Sequence, residues 1–171
     1  MDRTTRGLLQ LYLSDHMAAA VGGAALSRRA ASGEQRTEFG PPLEALAAEI
    51  EQDLRRLRDI GRSLGMPTRS PVKEGLAWLA ERMGRLKLNR RVVQRSPLSR
   101  VLELELLQAA VSGKRGLWQT LMQLAPDEPG LGRTELTQLI DRADWQEERL
   151  RDLHDRAARV AFGEESEALA A

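Results

Sequence analysis

The sequence predicts an all-α protein, an antiparallel four-helix bundle, on three observations. Ala, Leu, Arg and Glu dominate the 171 residues, and no run of alternating β-branched residues argues for a strand. Four long segments carry apolar residues at alternating steps of three and four, the signature of one buried helix face. Each of those stripes is interrupted by an isolated polar residue, so a few polar groups are expected in the middle of the bundle. The length suits a single domain over residues 1–171, with a crossover at 65–96 and a flexible tail at 164–171.

The first helix is expected from about Thr5 to Ala31, with Leu8, Tyr12, Asp15, Ala19, Gly22 and Leu26 on its inner face. Ala18 to Ala25 consists almost entirely of small residues, which predicts a tight crossing with another helix. Ser32-Gly33-Glu34-Gln35 stops it. Gly40-Pro41-Pro42 introduces the second helix, which reaches about Leu64 before Gly65-Met66-Pro67. Leu43, Leu46, Ile50, Asp53, Leu57, Ile60 and Leu64 form a heptad stripe with one defect, Asp53. Its opposite face is charged, with Glu51 and Arg55 at the favourable i,i+4 spacing.

Residues 65–95 are too many for a simple turn. Val72, Leu76, Leu79, Met83 and Leu86 predict a short amphipathic helix there, within a crossover joining the second and third long helices. Such a connection lets the third helix start from the same end of the bundle as the second. The third helix is the element around which the others are expected to pack. Ser96 is a good N-cap and Pro97 suits the first helical position. From Leu98 to Leu124 the apolar residues cover more than half the circumference, well beyond the stripe of about 100° that a surface helix needs. That excess predicts burial on two sides or a shared dimer face, with Leu107, Val111, Trp118 and Met122 as interface residues. Gly113 and Gly116 each disfavour a helix by about 1 kcal/mol relative to Ala, and tight packing is the expected reason for them. The fourth helix should run from near Thr134 to Phe162, with Leu139, Ala143, Gln146, Leu150, Leu153, Ala157 and Val160 inward and Gly163 ending it.

Composition excludes several functions. The absence of cysteine removes disulfides, thiolate nucleophiles and thiolate metal sites. The N-terminus lacks the apolar core of a signal peptide, and the apolar run Met17 to Leu26 is too short to span a bilayer. A soluble cytoplasmic protein without membrane partners is therefore expected. No Ser-His-Asp constellation, P-loop or glycine-rich dinucleotide turn is present. Net charge is +1, which argues against general nucleic-acid affinity. The basic segment Arg82 to Arg100, including Arg90, Arg91 and Arg95, leaves nucleic-acid binding as a minor alternative. Phosphate contacts need clustered cations, but aromatic stacking residues are missing from its basic run.

The stripe interruptions are Asp15 with its neighbour His16, Asp53, Glu105 and Gln146, with Glu147 and His154 at the edge of the fourth stripe. Buried carboxylates need partners. Arg56, Arg149 and Lys114 are the candidate cations. Four long helices, a long crossover and mid-helix carboxylates together resemble the ferritin-like superfamily over nearly the whole chain. That resemblance implies two metal ions held by one carboxylate from each of two helices and Glu-x-x-His from each of the others. Here the pattern is broken. Asp53 is followed at that spacing by Arg56 and Gln146 by Arg149, while Leu13 and Arg151 precede His16 and His154. Arginine keeps its proton and cannot replace imidazole as a ligand.

The expected core is therefore a polar network of Asp15, His16, Asp53, Arg56, Glu105, Gln146 and Arg149, without cofactor or catalytic residue. The expected function is that of a non-enzymatic bundle acting through protein interaction, as a homodimer or with another protein. The alternative is an iron or manganese oxidoreductase or storage protein with an altered site from Asp15, His16, Asp53, Glu105, Glu147 and His154.

Overall fold

A computed structural model of the chain describes residues 2–66 and 96–163. Among them are four α-helices and no strand: α1 (Arg3–Gly33), α2 (Gly40–Ser63), α3 (Pro97–Leu124) and α4 (Arg133–Phe162). The short crossover helix and the tail expected at 164–171 lie outside the described residues, as does most of the basic segment.

The helix boundaries follow local chemistry. The Asp2 carboxylate accepts a hydrogen bond from the Thr5 backbone N–H at 2.8 Å and so starts α1 two residues ahead of the expected Thr5. That bond is the main reason its pKa lies below the ordinary Asp value. Ser96 caps α3 by accepting from the Ser99 N–H, with Pro97 in the first turn as expected. α2 ends where Gly65 adopts φ 65°, a left-handed conformation suited to glycine. The Gly65 and Met66 N–H groups then bond back to the Arg62 and Gly61 carbonyls at 2.9 and 3.0 Å.

All four helices contribute to one core. α3 packs most extensively on α4 and α1 on α2, while α1 and α3 touch more sparingly. The stripe expected for α2 is buried from Leu43 to Leu64, and that of α4 from Leu139 to Ala157, including the polar positions Asp53 and Gln146. On α3, Leu104, Leu107, Val111, Leu117, Trp118 and Leu121 are buried. Polar pairs tie the faces together. Arg6 donates to the Leu64 carbonyl at 2.9 Å and Arg28 pairs with Glu51. Tyr12 donates to Thr120 at 3.2 Å, and Arg29 lies 3.6 Å from Glu103. Gln108 donates to the Leu150 carbonyl at 3.1 Å and Arg115 pairs with Asp144. Arg56 pairs with Glu135 and Arg149 with Glu49, the latter at 2.8 Å.

Three expectations are corrected. In the first half of α1 the buried face is Leu9, Leu13, Met17 and Val21, whereas Leu8 is 65% exposed and Asp15 is exposed. Leu8-Leu9 and Tyr12-Leu13 are adjacent apolar pairs, so periodicity allows two faces about 100° apart, and packing selects the second. Glu105 is exposed, and the buried carboxylate of α3 is Glu103. The glycines of α3 are not tightly packed: a Cβ added at Gly113 or Gly116 would meet nothing within 4 Å. The close approach foreseen for the small residues of α1 is present at Gly23, where an added Cβ would lie 3.7 Å from the Ala110 Cβ.

Candidate functional site: an ionic cluster beside an apolar cavity

Asp53 is brought to the middle of the bundle by the heptad of α2 and is 2% exposed. Its Oδ2 accepts a hydrogen bond from Lys114 Nζ at 2.5 Å. Lys114 also donates to Gln146 Oε1, so a single ammonium joins α2, α3 and α4. Gln146 is fully buried and turns its amide N–H groups to Glu49 Oε2 at 3.2 Å and Asp53 Oδ2 at 3.3 Å. Arg149 closes the cluster on Glu49. Arg142 lies against Asp53 Oδ1 as an ion pair without hydrogen-bond geometry, which leaves Oδ1 and Arg142 Nε without hydrogen-bond partners.

The charges explain the electrostatics. Burial disfavours the ammonium and lowers the Lys114 pKa below 10.5, while the neighbouring Asp53 charge opposes that shift. Asp53 and Glu49 supply two negative charges against three positive ones from Lys114, Arg142 and Arg149. The cluster therefore carries a surplus of one positive charge.

Against the cluster lies a cavity of about 190 Å³ between α1, α2 and α3. Ile50, Leu54, Leu57, Leu107 and Leu117 supply its apolar wall, and Asp53, Lys114, His16 and Trp118 its polar groups. Small residues of α1 and α3 (Ala19, Ala20, Gly23, Ala109, Ala110 and Gly113) leave the space open. Trp118 is fully buried, and its indole N–H has no hydrogen-bond partner. The His16 ring packs edge-on against Tyr12 at 4.5 Å, and burial lowers its pKa below 6.5 despite the Asp15 charge beside it.

The expected site residues thus separate into distinct places. Asp53 and Gln146 meet, with Lys114 between them, and Arg149 joins through Glu49. His16 reaches the cavity but not the cluster. Asp15 faces outward. Arg56 is exposed and bonds Glu135 and Asp59, not Asp53. Glu105 and Glu147 line a surface groove between α3 and α4, where His154 Nε2 lies 3.4 Å from Glu105.

These residues do not fit a dimetal centre. The Asp53 oxygens already face Lys114 and Arg142, and Asp15 and Glu105 are turned to the surface. Among the described residues no three His, Asp or Glu side chains converge as a metal-holding group. The dimer face expected on α3 is likewise corrected. Leu107, Val111 and Trp118 are at most 2% exposed within a single chain, and Met122 is half-buried against the same core.

Residues missed from the sequence include Arg142 and Glu49. Their signal was present, since Glu49 stands four before Asp53 and Arg142 four before Gln146, each on the same helix face as its partner. A second buried ion pair had no local signal. Glu34, read as part of a helix stop, is 1% exposed and receives both Arg100 Nε and a second guanidinium nitrogen at 2.9 Å. Arg100, counted with the basic segment, is thereby neutralised and also stacks on Phe39, its guanidinium carbon 4.2 Å from the ring centroid.

No helix among the described residues is long and apolar enough to cross a membrane. Comparison of the chain with protein-family models, curated proteins and solved structures finds no match.

Proposed function

We propose that the chain is a ferritin-like antiparallel bundle, with a long crossover between its second and third helices, that acts through binding rather than turnover. A lysine-centred ion cluster takes the central position at which di-iron relatives hold metal. The observation that carries this reading is Lys114 Nζ donating to both Asp53 and Gln146, with Arg142 on the remaining Asp53 oxygen. A fixed cation in that seat repels a divalent ion, and the carboxylate it neutralises has little charge left to offer one. Asp53 favours the ammonium form of Lys114 and opposes the lowering of its pKa by burial.

The order of the cross-helix pairs supports the topology. Arg6 meets Leu64 and Arg28 meets Glu51; Tyr12 meets Thr120 and Arg29 meets Glu103; Gln108 meets Leu150 and Arg115 meets Asp144. In each set one number rises as the other falls, the order of antiparallel neighbours.

Elemental analysis before and after anaerobic addition of iron or manganese tests the reading. The expected result is no stoichiometric metal. About two equivalents per chain, lost on Asp53→Ala, would make the protein a dimetal carboxylate protein instead.

A further inference from the structure

The apolar cavity and the charge beside it have complementary chemistry. Lys114 and Trp118 are one helical turn apart on α3 and both line the cavity. The ammonium has three N–H groups, of which Asp53 and Gln146 take two. Trp118 is fully buried behind the cavity wall, so its indole N–H reports on occupancy of the cavity. The adjacent cluster has one positive charge in excess. Away from these groups and His16 the lining is leucine, isoleucine, valine, alanine and glycine. A closed apolar cavity of about 150 Å³ admits benzene. By that scale this one, at about 190 Å³, takes a hydrocarbon chain or ring of about eight heavy atoms.

We propose that the cavity between α1, α2 and α3 binds an apolar monocarboxylate, its hydrocarbon against Ile50, Leu54 and Leu57 and its carboxylate on Lys114 Nζ. The inference deepens the binding role proposed above and rests on the centre being metal-free. The anion balances the surplus positive charge and accepts the ammonium N–H that Asp53 and Gln146 leave over. Neutral alcohols and alkanes match the wall but not the charge.

Gly113 supplies a variant that blocks the cavity without disturbing the core. It lines the cavity, and a Cβ placed on it meets nothing within 4 Å. Gly113 is exposed at the edge of the cavity, so Gly113→Leu sets a bulky side chain at its mouth and also replaces a residue unfavourable in a helix. Gly116 is equally uncrowded but does not line the cavity, so Gly116→Leu is the control.

The experiment is titration of the full chain with octanoate and with octan-1-ol, followed by calorimetry and by the indole N–H resonance of Trp118, assigned with Trp118→Phe. Octanoate is expected to saturate one site per chain, to shift that resonance, and to bind at least tenfold more tightly than octan-1-ol. Gly113→Leu, with helical content and Tm retained, should weaken octanoate binding at least tenfold, while Gly116→Leu should leave it unchanged. Lys114→Met should abolish the preference for the acid. Absence of saturable octanoate binding, equal affinity for the alcohol, or binding indifferent to Gly113→Leu would each overturn the proposal. Metal content is measured separately. Metal-free protein that ignores octanoate defeats this inference alone, whereas stoichiometric iron defeats the reading beneath it.

Discussion

Asp53 concentrates the energetics of the bundle, because its charge is buried with two cations facing it. Removing one member of a buried ion pair leaves its partners uncompensated, and such losses are about 3–5 kcal/mol. Arg142 is partly exposed, so some of its charge is relieved by water. Asp53→Ala is therefore expected to destabilise the chain by about 3 kcal/mol in urea denaturation. Replacing both partners, as in Asp53→Leu with Lys114→Leu, should recover most of that loss, since apolar substitutes for a buried pair avoid its desolvation. Additive losses in the double variant would contradict the pairing. His16 gives the pH dependence. Its folded pKa lies below the unfolded value of 6.5 through burial, so the unfolded chain binds the proton more readily. Stability contributed by the neutral ring is complete above 6.5 and declines as pH falls from 6.5 through the lowered folded value. His16→Gln should flatten that slope in denaturation series from neutral to acid pH. An unchanged slope would place the proton linkage elsewhere.

At the scale of elements, the glycines separate into two kinds that the sequence presents alike. Gly40 opens α2 where a Cβ would lie 2.6 Å from the Glu34 carbonyl oxygen, a backbone atom that cannot move aside without disturbing the turn. Gly40→Ala should therefore destabilise by about 1–3 kcal/mol, as overpacking does. Gly116 lies inside α3 with open space around it, so Gly116→Ala should stabilise by up to about 1 kcal/mol from helix propensity. Thermal unfolding of the two variants should move Tm in opposite directions, and a shared direction would contradict the packing described here. The small residues of α1 play a double part. They bring α1 close to α3 at Gly23, and in the neighbouring turns their lack of bulk leaves the cavity. The breadth of apolar surface on α3 has a local cause as well. It packs on both α1 and α4 of its own chain, and Trp118 at its centre is fully buried.

For the whole molecule, the sequence by itself determined the helical class, the four long elements, the Ser96 cap of α3, the Gly163 end of α4 and the inward faces of α2 and α4. These are local properties: capping needs one side chain near its own helix end, and a heptad with few neighbouring apolar residues admits one buried face. It also determined that Asp53 and Gln146 would be buried, because each interrupts such a heptad. Only the tertiary structure decided the rotation of α1, since adjacent apolar pairs satisfy two faces equally well. Only it exchanged Glu105 for Glu103 on α3, whose apolar residues nearly encircle the helix and leave no unique inner side. Lys114 as the cation between Asp53 and Gln146, Arg100 on Glu34 and the cavity beneath Gly113 were decided in the same way. Ion pairs between residues dozens of positions apart, and space left by absent side chains, are set by how helices rotate and approach, and a linear pattern carries no record of either.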